Sequence, residues 1–239
     1  MQKLKLTYRG VVSWLNSNEL ARLHLGLHKV PVHTTMARFG KRIAKIIHLA
    51  LNLDKANTVA VDATGFELES KSYYYRNVWN SHKKQKTRQY MKLSIAIDTE
   101  KQLIMKHKIR RKIRHDTIDF KKLLNGLSAK RVIADKGYDS WENRKLVLNK
   151  LKAVPIIPVR NHTNFYGYFK HGRKIDGSIY HQRSKVETIF SVIKRKYGSV
   201  LRARSFVTQK VEIIGKLIAY NLDRKLRQIL IFFGGCTRA

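Results

Sequence analysis

The sequence predicts an α/β fold, a mixed five-stranded sheet flanked by helices with a small helical segment ahead of it. Three observations carry this. Apolar residues recur at helical spacing up to Asp54 and as short β-branched runs after it. Beyond that point the order is strand, two-stranded hairpin, helix, strand, helix, strand, helix, in which each face of a sheet finds a helix to bury it. Finally, 239 residues at 43% hydrophobic composition suffice for one sizeable core.

In chain order, residues 11–27 and 34–51 each show helical spacing and are joined by Lys29-Val-Pro-Val-His33. Two helices with basic residues at their turn suit a helix-turn-helix DNA reader, and equally any helical hairpin. Thr58 to Val61 is a short buried strand with Asp62 at its end, followed by Ala63-Thr-Gly65. Residues 65–90 interleave Tyr73, Tyr74, Tyr75 and Trp79 with Arg76, Lys83, Lys84, Lys86 and Arg88. That mixture can follow a phosphate backbone and stack on bases, or form a solvated loop anchored by its aromatics. Met91 to Ile97 and Leu103 to Ile109 read as an antiparallel hairpin, with Asp98 structural in its turn.

A helix then starts near Asp116 or Thr117, with Asp116 read as its cap in preference to an acid supporting the carboxylate site. Arg131 to Ala134 is the next strand, with Asp135 at its end. A helix covers Ser140 to Lys150, and Ala153 to Ile157 forms the last strand, closed by Pro158. The connection over 159–177 leads to an amphipathic helix over 178–197, and a final helix runs from about Thr208 to Ile231. The boundary the pattern suggests lies near residues 52–57. It divides the chain into a helical segment, 1–54, and a sheet-bearing domain with its C-terminal helix, 55–239.

Charge narrows the function. Lys and Arg number 50 against 16 Asp and Glu, a formal charge of +34. Such an excess repels itself and favours a polyanionic partner, nucleic acid before an acidic membrane surface. No apolar run reaches the roughly 18 residues of a spanning helix, and no signal-type core follows Met1. A soluble, cytoplasmic, nucleoid-associated protein is therefore expected. The single cysteine, Cys236, excludes a disulfide framework and a cysteine zinc site within one chain.

Against that background the few acids stand out. Asp62 and Asp135 each follow a short buried strand, where neighbouring strand ends can open on one crevice and two carboxylates can share a divalent cation. Each alone also fits a turn-starting aspartate. The third acid lies on the helix over 178–197. Val186, Ile189, Phe190, Ile193 and Tyr197 gather into its apolar face at about 100° per residue. Tyr180, Arg183, Glu187 and Lys194 form a second stripe within roughly 80° beside it. By itself this is an ordinary ion-paired face. Together, three carboxylates suit phosphodiester chemistry at two hard cations, which need oxygen ligands and let acids approach a phosphate.

These segments resemble the DDE transposases of prokaryotic insertion sequences. Val59-Ala-Val-Asp62-Ala-Thr-Gly65 is similar to the family's first-Asp strand and Val132-Ile-Ala-Asp135-Lys-Gly-Tyr-Asp139 to its second-Asp segment. Tyr180-x2-Arg183-x3-Glu187-x6-Lys194 resembles its third-carboxylate signature, and Val30-Pro-Val-His-Thr-Thr-Met-Ala-Arg-Phe39 the helical segment ahead of its catalytic domain. The resemblance implies a ribonuclease-H-like catalytic domain in which Asp62, Asp135 and Glu187 are catalytic and bind Mg²⁺ or Mn²⁺, two ions in all. Tyr180, Arg183 and Lys194 would support the site and contact transposon-end DNA. It further implies metal-dependent cleavage at transposon ends, strand transfer into double-stranded target DNA, and a homodimer or larger assembly that pairs two ends.

Two departures qualify it. The helical segment starts within about ten residues of Met1, so residues 1–54 read as a truncated DNA-binding segment. The 52-residue interval between Asp135 and Glu187 leaves no room for the large insertion some relatives carry there. A non-catalytic basic nucleic-acid-binding protein, including a degenerate transposase copy, and a ribonuclease-H-like nuclease that cuts without joining are the competing readings.

Overall fold

A computed structural model of the chain describes residues 6–50, 54–69, 90–111, 115–159 and 176–235. The aromatic and basic stretch at 70–89 and most of the long connection, 160–175, lie outside the described residues. The chain forms two units, one of residues 52–192 and one of residues 1–51 with 193–239.

The second of these is helical. It begins with α1 (Tyr8–Ser17), α2 (Glu19–His24) and α3 (His33–Ala50). The continuous helix expected over 11–27 is split because the Asn18 side chain turns to accept the Ala21 N–H at 3.0 Å and caps a new helix. Helix α1 packs on α3, and α3 on the C-terminal helix.

The sheet unit follows, with β1 (Lys55–Leu68), β2 (Tyr90–Asp98), β3 (Leu103–Arg110), α4 (Thr117–Leu124), β4 (Ser128–Ala134), α5 (Trp141–Lys145) and β5 (Val154–Ile156). Helix α5 runs on into a wider turn, Leu146–Lys150. The strand order is β3-β2-β1-β4-β5, with β1 antiparallel to β2, β2 antiparallel to β3, and β1, β4 and β5 parallel. The sheet is mixed, as expected, but has six strands where five were expected. Pro155, which cannot donate to a ladder, is accepted because β5 ends this strand order.

Both faces of the sheet are buried. On one, Val59, Val61, Ala96, Val132 and Ala134 join Phe120, Leu123 and Leu124 of α4 with Tyr138 and Val147 in a continuous core. On the other, Ala60, Ile95, Ile97 and Ile133 are fully buried. A one-turn helix, α6 (Gly177–Tyr180), a 3₁₀ turn at His181–Arg183 and α7 (Ser184–Tyr197) complete this part of the chain, α7 crossing into the residues of the helical unit. The short strand β6 (Val200–Leu201) and the long α8 (Phe206–Gly235) finish it. In the helical unit, buried Lys216 of α8 donates to the carbonyls of Gly198 at 2.8 Å and Val200 at 3.1 Å, pinning the turn after α7. Among the described residues no helix is long and apolar enough to cross a membrane.

Candidate active site

Parallel register brings the two aspartates together. Val61 and Ala134 form the last pair of the β1–β4 ladder, so Asp62 and Asp135 each follow that pair directly in the chain. The sequence placed Asp62 at the end of its strand, but β1 continues to Leu68. What ends at Asp62 is the pairing with β4, whose last pair is Val61 with Ala134, while the pairing with β2 runs on to Glu67. Burial falls at the same point, from complete at Val61 to partial at Asp62, Ala63 and Thr64.

Each aspartate is fixed by the backbone that follows it. Asp62 Oδ1 accepts the Ala63 N–H at 2.8 Å. Asp135 Oδ1 accepts the Gly137 N–H at 2.8 Å and so caps the 3₁₀ turn Lys136–Tyr138. Below that turn, buried Asn143 donates to the Tyr138 carbonyl at 2.9 Å, and Arg144 pairs with Asp139 at 2.8 Å while donating to the Ile157 carbonyl at 2.6 Å. The second-Asp segment is therefore held from beneath by an ordered polar layer.

The third carboxylate arrives on a broken helix. The single helix expected over 178–197 is divided: Tyr180 ends α6, Arg183 lies in the 3₁₀ turn, and Glu187 and Lys194 lie in α7. The Ser184 hydroxyl, which donates to the His181 carbonyl at 2.8 Å, supports that break. The 3₁₀ turn rests against β1 and β4. There the buried Thr99 hydroxyl donates to Gln182 at 2.9 Å. From this anchorage Arg183 Nη2 donates to Glu187 Oε1 at 2.7 Å, and Nη1 reaches Asp62 Oδ2 at 3.4 Å.

Electrostatics agrees with proximity. Burial pushes the Asp62 carboxyl up, to about 6; its Ala63 hydrogen bond and Arg183 oppose that, while the carboxylates of Asp135 and Glu187 add to it. The structure thus joins Asp62, Arg183 and Glu187 directly, and Asp135 through register and charge. Tyr180 and Lys194 are both half-buried, one at the end of α6 and the other two turns beyond Glu187 on α7.

A hard divalent cation suits these donors, which are all carboxylate oxygens that burden one another with negative charge. Their present spacing is open: among the described residues no three His, Cys, Asp or Glu side chains stand close enough together to hold an ion as they lie.

Sequence reading missed three features of this region. Gly137 leaves room for the carboxylate, as a Cβ there would stand 2.8 Å from Asp135 Oδ1 and make that side chain shift; its position directly after Asp135-Lys was the available signal. The Thr99–Gln182 contact joins residues 83 apart and left no local trace. Asp116 occupies the expected cap position, but its side chain makes no cap bond; it pairs instead with Arg110 at 2.7 Å and with Lys92. Asp98, by contrast, is structural as expected, accepting the N–H groups of Glu100 and Lys101.

A ribonuclease-H-like sheet with carboxylates where the β1–β4 ladder ends suggests a class, and comparison with known families gives it a name. Residues 54–222, more than two thirds of the chain, match the family described as the Transposase DDE domain. The chain belongs to that family. Comparison with curated proteins gives no match. Among solved structures the chain is similar to a piggyBac transposase, seen by cryo-EM in a synaptic complex with hairpin DNA, with a TM-score of 0.56 and 10% identity. The match covers 81% of this chain and 52% of that one, so the chain spans about half its length. The Mos1 strand transfer complex is also similar, at a TM-score of 0.29 and 10% identity over 92% of this chain and 73% of that one.

Proposed function

We propose that the chain is a DNA transposase that cleaves at transposon ends and transfers the exposed 3′ hydroxyl into target DNA. The observation that carries this reading is the meeting of Asp62, Arg183 and Glu187 beside Asp135, four residues drawn from three separate segments to the place where β4 ends and β1 goes on. Asp62, Asp135 and Glu187 would hold Mg²⁺ or Mn²⁺. When bound, two such ions supply charge neutralisation at the attacking and leaving oxygens of a phosphodiester. Arg183 offers a planar fork to a phosphate, whereas Lys194 acts as a point charge further along α7. Tyr180 would contact the DNA end beside them. Residues 1–54 serve in this reading as a helical DNA-contacting segment and 55–239 as the catalytic domain. The charge of +34 supplies affinity without sequence preference, and pairing of two ends calls for a dimer or larger assembly at the nucleoid.

The test replaces Asp135 by Asn and follows Mg²⁺-dependent cleavage and joining of labelled transposon-end duplexes, with DNA binding measured alongside. Cleavage should disappear while binding persists. Undiminished cleavage with binding intact would sink the proposal, and cleavage by the wild type without joined products would reduce it to a nuclease.

A further inference from the structure

Arg183 stands where a cation would be needed. One guanidinium bridges two of the three carboxylates, at 2.7 Å from Glu187 on α7 and 3.4 Å from Asp62 on β1. Asp135 is held separately, by the Gly137 N–H. A guanidinium and a divalent cation drawn to the same oxygens compete for the same lone pairs and repel each other. The two cannot both be fully engaged.

What would remove the guanidinium is visible in its setting. The Arg183 side chain is 26% exposed and Glu187 55%, against 17% for Asp62, so the stronger-looking contact is the solvent-facing one. Such exposed i,i+4 pairs contribute little and are readily exchanged. A DNA phosphodiester is an equally good partner for the fork, carries the same single charge as a carboxylate, and brings the field of neighbouring phosphates with it. Moreover, Arg183 projects from a short 3₁₀ turn whose backbone is anchored through Gln182 and Thr99. The side chain can swing from carboxylates to phosphate without the turn leaving the sheet.

We propose that Arg183 is a built-in counter-ion that competes with divalent metal at Asp62 and Glu187 until a DNA phosphate withdraws it, so that DNA and metal bind with positive coupling. This rests on reading Asp62, Asp135 and Glu187 as metal-holding and DNA as the substrate. Linkage makes the effect reciprocal: DNA raises metal affinity by the same factor by which metal raises DNA affinity.

The experiment measures Mn²⁺ binding by electron paramagnetic resonance, with and without a short DNA duplex. It uses wild type, Arg183→Gln and Arg183→Lys, with the duplex alone as the blank for ions held by DNA. Wild type should bind Mn²⁺ about tenfold tighter with duplex present. Arg183→Gln should bind Mn²⁺ about tenfold tighter than wild type without DNA, and duplex should then add little. Arg183→Lys, which keeps the charge and loses the fork, should fall between. Equal or weaker Mn²⁺ binding by Arg183→Gln in the absence of DNA overturns the counter-ion role, as does a wild type whose affinity ignores the duplex. If neither wild type nor Arg183→Gln binds Mn²⁺ under any condition, the metal reading itself fails and takes this inference with it.

Discussion

Gly137 and Asp135 share one small volume: the glycine N–H donates to the aspartate carboxylate at 2.8 Å, and a Cβ on the glycine would lie 2.8 Å from that same oxygen. Real Cβ atoms do not approach so closely, and the carboxylate is the group that has to move. Gly137→Ala should therefore act on Asp135 rather than on folding. Cleavage of transposon-end duplexes should fall by about a hundredfold, as expected when a reacting group is displaced by an ångström. The circular dichroism spectrum should stay unchanged. A variant as active as wild type would show that the Asp135 side chain need not occupy its observed position.

The next residue behaves in the opposite way. Tyr138 is 1% exposed and packs against Phe120 at 5.5 Å between ring centroids, yet its hydroxyl has no hydrogen-bond partner among the described residues. Burial pushes that hydroxyl well above its ordinary range, and the carboxylates of Asp116, Asp62, Asp135 and Asp119 push it further, so it stays neutral. A buried donor without an acceptor lowers stability. Tyr138→Phe keeps the ring and removes the unpaired group, and should raise unfolding stability in urea by about 1 kcal/mol. A loss of stability would reveal a partner for the hydroxyl.

These neighbours show what sequence could and could not reveal. The strands, the hairpin and the order of elements were legible because a sheet buried on both faces draws its strands from short, continuous apolar and β-branched runs. Asp62 and Asp135 drew attention because acids are scarce in a chain of +34 and both follow short apolar runs, and Glu187 because it borders the apolar face of a helix. The break at His181–Arg183 was not. Helical periodicity assumes constant rotation, and the turn depends on a serine back-bond and on an anchor at Thr99 far away in sequence. Asp116 misled for a related reason: its position is that of a cap, but Arg110 and Lys92, brought alongside by the pairing of β2 and β3, offer its carboxylate stronger partners than backbone amides.

Beneath the second-Asp segment, the Asp139–Arg144 pair is almost wholly buried, at 4% and 9% side-chain exposure, with Arg144 also donating to the Ile157 carbonyl. Removing one member leaves an uncompensated charge in the core. Arg144→Met should destabilise the protein by about 3–5 kcal/mol. The double change Asp139→Leu with Arg144→Met should cost less than Arg144→Met alone, because no charge is then stranded. Urea midpoints of the two variants decide the matter, and a double variant weaker than the single one would contradict it.

In the helical unit, the Tyr197 hydroxyl donates to Asp223 at 2.8 Å, and Lys196 pairs with the same carboxylate. Burial first, and the Asp223 carboxylate second, hold the phenol neutral well above its ordinary value of 10.0. Below pH 10 this stabilisation is complete. As pH rises beyond 10 the unfolded chain's tyrosine ionises while the folded one does not, so the unfolded state gains and stability falls until the folded value is reached. Tyr8 and Tyr220, also raised by burial, act in the same sense. Lys216, lowered from 10.5 by its own burial, acts in the opposite sense over the approach to that value, since there the unfolded chain holds the extra proton. Tyr197→Phe should be about 1 kcal/mol less stable than wild type at pH 7, for loss of the hydrogen bond. The gap in melting temperature should then narrow as pH is taken above 10, because only the wild type has this contribution to lose. A gap that stays constant across that range would mean the Tyr197 phenol titrates alike in the folded and unfolded chain.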